Sequence, residues 1–77
     1  MDTAAIPQYI ELNPEIRFGK PILRGTRTTV AEVLGMLANG MSAAEIQEDF
    51  PAITEAHVRA CLLYAAYKES IVLLAAA

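Results

Sequence analysis

Four cationic side chains, Arg17, Lys20, Arg24 and Arg27, fall in one segment, 17–27, that contains no acid. Cations at that density suit two kinds of anionic surface. They can neutralise phosphates along a nucleic acid backbone. They can equally enter an acidic protein cleft, where guanidinium grips carboxylate bidentately. Residue types alone do not choose between these two, and a third reading has the cations solvated or paired with acids of the same chain. From residue 28 onward the balance reverses: Arg59 and Lys68 stand against Glu32, Glu45, Glu48, Asp49, Glu55 and Glu69. The basic segment is thus +4 and the part that follows it −4, within a chain of net charge −3. Such a split points to an anionic partner for one end.

Other groups with chemical potential are few. Cys61 is the single cysteine and His57 the single histidine. An internal disulfide is therefore impossible, and a zinc site of the Cys/His type cannot be assembled. Cys61 lies inside the apolar run Ala60 to Tyr67, where a thiol behaves as a small hydrophobe. Gly19-Lys20 is not a P-loop, because Lys20 is followed by Pro21 and position 14 is Pro rather than Gly. No nucleophile stands with an oriented base. The expectation is a non-enzymatic protein with no cofactor and no bound metal.

The elements that must position these residues are well punctuated. Segment 9–12, Tyr-Ile-Glu-Leu, has strand-forming residues closed by the turn signal Asn13-Pro14. Pro21 restricts any strand in 17–27 to a short or edge one, and Gly19 and Gly25 suit bends or positive φ. Two or three short strands in a basic arm are expected, without a core of their own. Thr29-Val30-Ala31-Glu32 then has the form of a capping box, and Val30, Val33, Leu34 and Leu37 recur at helical spacing. Asn39-Gly40 supplies the stop, with Gly40 at the left-handed position beyond the helix end. Ser42-Ala43-Ala44-Glu45 opens a second helix that presents Ile46 and Phe50 inward, and Pro51 ends it. Thr54 caps a third helix running to about residue 69 or 70.

The pair of helices joined by Pro51-Ala52-Ile53 fits a helix-turn-helix. The DNA-facing positions of such a pair would be Glu55, His57 and Arg59. One acid, one histidine and one cation make a poor phosphate-binding set, and the preceding helix is acidic. The third helix carries two apolar stripes, Val58, Cys61, Leu62 and Ala65 on one and Ala60, Leu63, Tyr64, Tyr67 and Ile71 on the other. A surface helix needs only one. The second stripe and the apolar tail make Leu63, Tyr64, Tyr67, Ile71 and Leu74 candidates for a partner or dimer interface, unless the tail folds back over the arm.

Size supports a partner. A single domain is expected over 1–77, divided into a β arm (1–27), a three-helix bundle (28–70) and an apolar tail (71–77). A core in 77 residues rarely supplies more than about 3–5 kcal/mol by itself. With 55% of residues hydrophobic, some apolar surface should be covered by another chain, and a homodimer is the simplest source. A glycine-punctuated arm makes exchange between two copies plausible. The N-terminal residues carry no basic stretch followed by an apolar one, and no apolar run approaches a membrane span. The chain reads as cytoplasmic, without a membrane partner.

Several motifs fall together in order. Gly19-Lys20-Pro21-Ile22-Leu23-Arg24-Gly25-Thr26-Arg27 precedes an apolar helix; Gly40-Met41-Ser42-Ala43-Ala44-Glu45-Ile46 follows, then Phe50-Pro51-Ala52-Ile53-Thr54 and Val58. This arrangement, from about Tyr9 to Tyr67, resembles the domain of unknown function 433 family. The resemblance implies a mainly α fold: a short β arm before a three-helix, homeodomain-like helix-turn-helix domain. It also implies a VapB-like antitoxin that binds and silences a small PIN-like ribonuclease toxin and, as a dimer, binds its own operator DNA. The alternatives from the residues are a stand-alone dimeric DNA-binding regulator or a helix-turn-helix-shaped interaction module. The family brings no functional residues to transfer. PIN-type nucleases hold metal with clustered carboxylates, so an arginine of the arm, Arg24 or Arg27, is the candidate to enter that cleft. Alternatively, Arg27 pairs with Glu32 and holds the arm on the first helix.

Overall fold

The computed structural model describes residues 3–76, and side chains through residue 69. The fold is mainly helical with a small antiparallel sheet. In chain order the elements are α1 (Ala5–Tyr9), β1 (Ile10–Glu11), β2 (Ile22–Leu23), α2 (Val30–Ala38), α3 (Ala43–Asp49) and α4 (Glu55–Ala76), with a short 3-10 turn at Arg17–Gly19 between the strands.

The starts of α2, α3 and α4 are built as their sequences dictate. Thr29 accepts from the Glu32 amide while the Glu32 carboxylate accepts from the Thr29 amide, so both reach an otherwise orphan donor. Ser42 and Glu45 repeat the device at α3. The end of α2 is a Schellman motif: Gly40 sits at φ +95, its amide donates to Leu37, and the Met41 amide donates to Met36. The third box replaces the usual acid with histidine. Thr54 N–H donates to His57 Nδ1 at 3.2 Å, and the His57 amide donates to Thr54 Oγ1 at 3.3 Å.

The core gathers Ile10, Leu23, Val30, Val33, Ile46, Ile53, Val58, Ala60 and Cys61. Two of these come from the strands, which changes the picture of the N-terminal region. It is not a ribbon standing off the bundle: β1 and β2 pair antiparallel, with Ile10 opposite Leu23 and Glu11 opposite Ile22, and Ile22 and Leu23 are fully buried. Pro21 gives no amide to the ladder, but its carbonyl accepts from Val30 N–H at 2.9 Å, which joins β2 to the start of α2.

Five expectations are corrected. The strand expected over 9–12 is shorter, because Tyr9 closes α1 and Leu12 is exposed. No element was assigned to the first residues, yet α1 forms there, with Pro7 in the first turn where a missing N–H costs nothing. α1 packs on α4 and covers part of the stripe containing Ala60, so a companion absent from the three-helix picture supplies cover that a partner was invoked for. Phe50 is not an inward residue of α3 but its C-cap, with φ −132 and ψ 83; the chain leaves the helix there and the ring faces solvent. Leu62 likewise faces solvent, since the buried face of α4 runs through Val58 and Cys61 instead. Finally, α4 continues to Ala76 rather than giving way to a separate tail near residue 70.

The turn at Arg17–Gly19 is left-handed throughout: φ is 50 at Arg17, 60 at Phe18 and 77 at Gly19. Glycine tolerates this, but each of the two L side chains costs about 1–2 kcal/mol. Hydrogen bonds from Gly19 N–H to Ile16 and from Lys20 N–H to Arg17 close the turn.

Candidate interaction site

The basic segment does not present four equivalent cations. Arg17 Nη1 donates to Glu32 Oε1 at 2.7 Å and to the Arg27 carbonyl at 3.0 Å. The acid that the sequence offered to Arg27 is therefore taken by Arg17. Arg24 Nη2 donates to the Pro7 carbonyl at 2.9 Å and lies 3.5 Å from the Ile10 carbonyl, with Glu11 at 3.9 Å from Nη1. It fastens the end of α1 and the start of β1 to the turn that follows β2. Spending Arg24 on backbone carbonyls removes it as the cleft-entering arginine. Lys20 and Arg27 differ: both are exposed, and neither side chain has an ion pair or hydrogen bond among the described residues.

Glu32 is the electrostatic centre of this face. One carboxylate oxygen accepts from Thr29 N–H, Thr29 Oγ1 and Arg17. Hydrogen bonding from the Thr29 backbone and hydroxyl holds its carboxyl below the usual range, against an opposing effect of burial, with a lesser contribution from the Arg17 charge. Glu45 is lowered in the same direction by Ser42.

Beside Lys20 the surface hollows into a groove of about 430 Å³. Pro21, Val30, Leu34 and Ala65 give it an apolar floor, and Lys20 and Lys68 stand at its margin with Tyr64 between α2 and α4. Lys68 Nζ lies 5.6 Å from the centroid of the Tyr64 ring, within range of cation–π attraction. The groove thus unites one residue of the basic segment, Lys20, with one residue of the expected apolar interface, Tyr64. Lys68 was not foreseen, because one lysine on an apolar helix carries no signal of what it faces.

The remaining candidates scatter. Leu63 lines a smaller recess of about 300 Å³ between α1 and α4, together with Tyr9 and Arg59. Tyr67 is exposed. Ile71 and Leu74 lie outside the residues whose side chains are described. Glu55 and Arg59 pair with each other at 3.4 Å across one helical turn. His57 points inward: besides its bonds to Thr54, its Nε2 approaches the Arg24 carbonyl at 3.3 Å and its ring meets Tyr9 edge-on at 5.2 Å. With Nδ1 accepting from Thr54, Nε2 carries the proton and donates to Arg24. His57 therefore sutures α4 to the turn after β2 and is not a projecting base reader. Thr54-x-x-His57 repeats the spacing of the two acidic boxes, and that spacing was the available signal.

Cys61 is fully buried, and desolvation pushes its thiol up to about 11. Among the described residues no group of three or more His, Cys, Asp or Glu side chains is placed to hold a metal ion, and no helix is long and apolar enough to cross a membrane.

What the geometry defines is a small helical domain with an apolar groove and a basic rim. A family model described as protein of unknown function (DUF433) matches residues 10–65, and the chain belongs to that family. It is similar to an uncharacterized protein, y4eO, of Sinorhizobium fredii, with 33% identity over 64 residues that make up 83% of this chain. The chain spans 29% of that relative's length. No solved structure matches it.

Proposed function

We propose that this chain is a non-enzymatic inhibitor, the antitoxin of a toxin–antitoxin pair, that binds and silences a small PIN-like ribonuclease in the cytoplasm. The resemblance drawn from the motifs supplies the class of partner. The observation that carries the reading here is the pairing of an apolar groove with cations that have no carboxylate of their own: Lys20 and Lys68 at its margin, and Arg27 on the same basic segment. A metal-binding nuclease cleft is rich in carboxylates, and lysine and arginine complement it while the groove buries apolar surface. Lys20 and Arg27, rather than Arg24, are the residues that reach the acidic cleft.

A stand-alone regulator that reads operator DNA with α4 has less support. The side chains that would face the bases are a mutually paired Glu55 and Arg59 and an inward His57. Repression of its own operon, in this reading, runs through the basic segment of a homodimer.

Co-purification tests the proposal. The tagged chain, expressed from its native operon and washed at high salt, should bring down a small nuclease that regains activity when stripped. Charge reversal of both Lys20 and Arg27 to Glu should weaken that inhibition more than tenfold without lowering the melting temperature. Recovery of the chain alone as a homodimer, with DNA affinity falling steeply with salt, would replace the inhibitor reading with the regulator.

A further inference from the structure

Phe18 is 96% exposed, the most exposed large hydrophobic side chain of the described residues. Exposure of one apolar residue is ordinary; the way this one is held is not. It sits at φ 60 in the left-handed turn, between Arg17 at φ 50 and Gly19 at φ 77. Bulky residues avoid that region, and persist in it where surrounding contacts over-determine it. Here they do: Arg17 is clamped to Glu32 and to the Arg27 carbonyl, and two backbone hydrogen bonds close the loop. The ring gains no packing within the chain in return.

We propose that Phe18 is the anchor of a protein interface, held in solvent by the turn so that it enters an apolar pocket edged with carboxylates on a partner protein. Aromatic residues in fully desolvated pockets dominate binding, and a ring already held in place loses little freedom on docking. Lys20 lies two residues away and Arg27 is tied to the same turn through its carbonyl, and neither has an internal partner, so the pocket's surroundings are acidic. A second copy of this chain would set these cations against their own counterparts. A nucleic acid backbone offers phosphates but no apolar pocket for the ring, and one copy brings only two unpaired cations to it. The proposal deepens the inhibitor reading and rests on it only for the partner's identity as a nuclease.

The test places the photo-crosslinking residue p-benzoylphenylalanine at position 18 of the full chain in native cells, with position 48 on α3 as a control. The expected product is one predominant protein adduct, specific to position 18, whose crosslinked peptide is flanked by Asp or Glu. Phe18→Asn accompanies it, since Asn accepts the left-handed conformation. That variant should melt at or above the parent temperature and bind the crosslinked protein at least thirtyfold more weakly. No adduct, an adduct only with nucleic acid or a second copy, or parental affinity in Phe18→Asn would overturn the proposal. If a nuclease co-purifies but does not crosslink through position 18, the anchor fails and the inhibitor reading stands. If the acidic partner is not a nuclease and Phe18→Asn loses it, the anchor stands and the nuclease reading fails.

Discussion

Glu32 offers the sharpest separation of two contributions made by one side chain. Its Oε1 completes the capping box of α2 and receives Arg17. Glu32→Gln keeps an acceptor that the box can use and deletes the charge; Glu32→Ala deletes both. The box contribution is set near 1 kcal/mol by capping substitutions in general. The ion pair has side chains 37% and 46% exposed, so solvent screening keeps it toward the lower part of the 0.2–1 kcal/mol range, about 0.5 kcal/mol. The Gln variant should lose about 0.5 kcal/mol and the Ala variant about 1.5 kcal/mol, or roughly 2–4 °C and 6–12 °C in melting temperature for a domain of this size. The pH dependence carries a definite sign. The folded carboxyl is lowered from its ordinary value of 4.5, so its contribution is complete above that value and is lost as pH falls through the lower folded one. Thermal melts at pH 7 and at pH 3 would show the gap between parent and Gln variant closing in acid. Equal loss in Gln and Ala variants, or a gap independent of pH, would refute the division.

Three further outcomes follow from the same contacts. His57→Ala should cost about 1–2 kcal/mol, through the α4 cap and the bond to the Arg24 carbonyl, whereas His57→Gln should recover part of this by restoring an ordinary capping box; urea titration reads both. Arg24→Ala should release α1, seen as faster amide exchange over residues 5–10, with little effect on α3, because its guanidinium binds the Pro7 and Ile10 carbonyls. Cys61, with its thiol raised to about 11, should resist a thiol reagent at pH 8 in the native chain and react at once in denaturant.

Much of this fold was legible because its punctuation is local. Thr29 with Glu32 and Ser42 with Glu45 act within a single turn, and Gly40 needs only its own φ, so short motifs predicted them correctly. Phe50 and Leu62 were misplaced because helical spacing cannot tell which side of a stripe faces the core when the helix ends early or a neighbour is unknown. The neighbour was α1, whose five residues have no periodicity to read. At the site, a count of cations could not reveal that Arg17 and Arg24 are spent on Glu32 and on backbone carbonyls, since those partners come from distant segments. The exposure of Phe18 had no signal at all: two L residues at positive φ are set by the clamp around them, not by their own preference.

The suture from His57 to the Arg24 carbonyl joins residues 33 positions apart, and the strands share their core with α2, α3 and α4, the last of these to be made. During synthesis, therefore, the N-terminal third emerges with its isoleucines and leucines unburied and waits for the last helix. The domain assembles late and, by the same logic, loosens from that end: a protease that cuts α4 frees α1 and β1 and opens the groove together. Closure by the last helix makes the lifetime of the folded domain depend on the integrity of that helix.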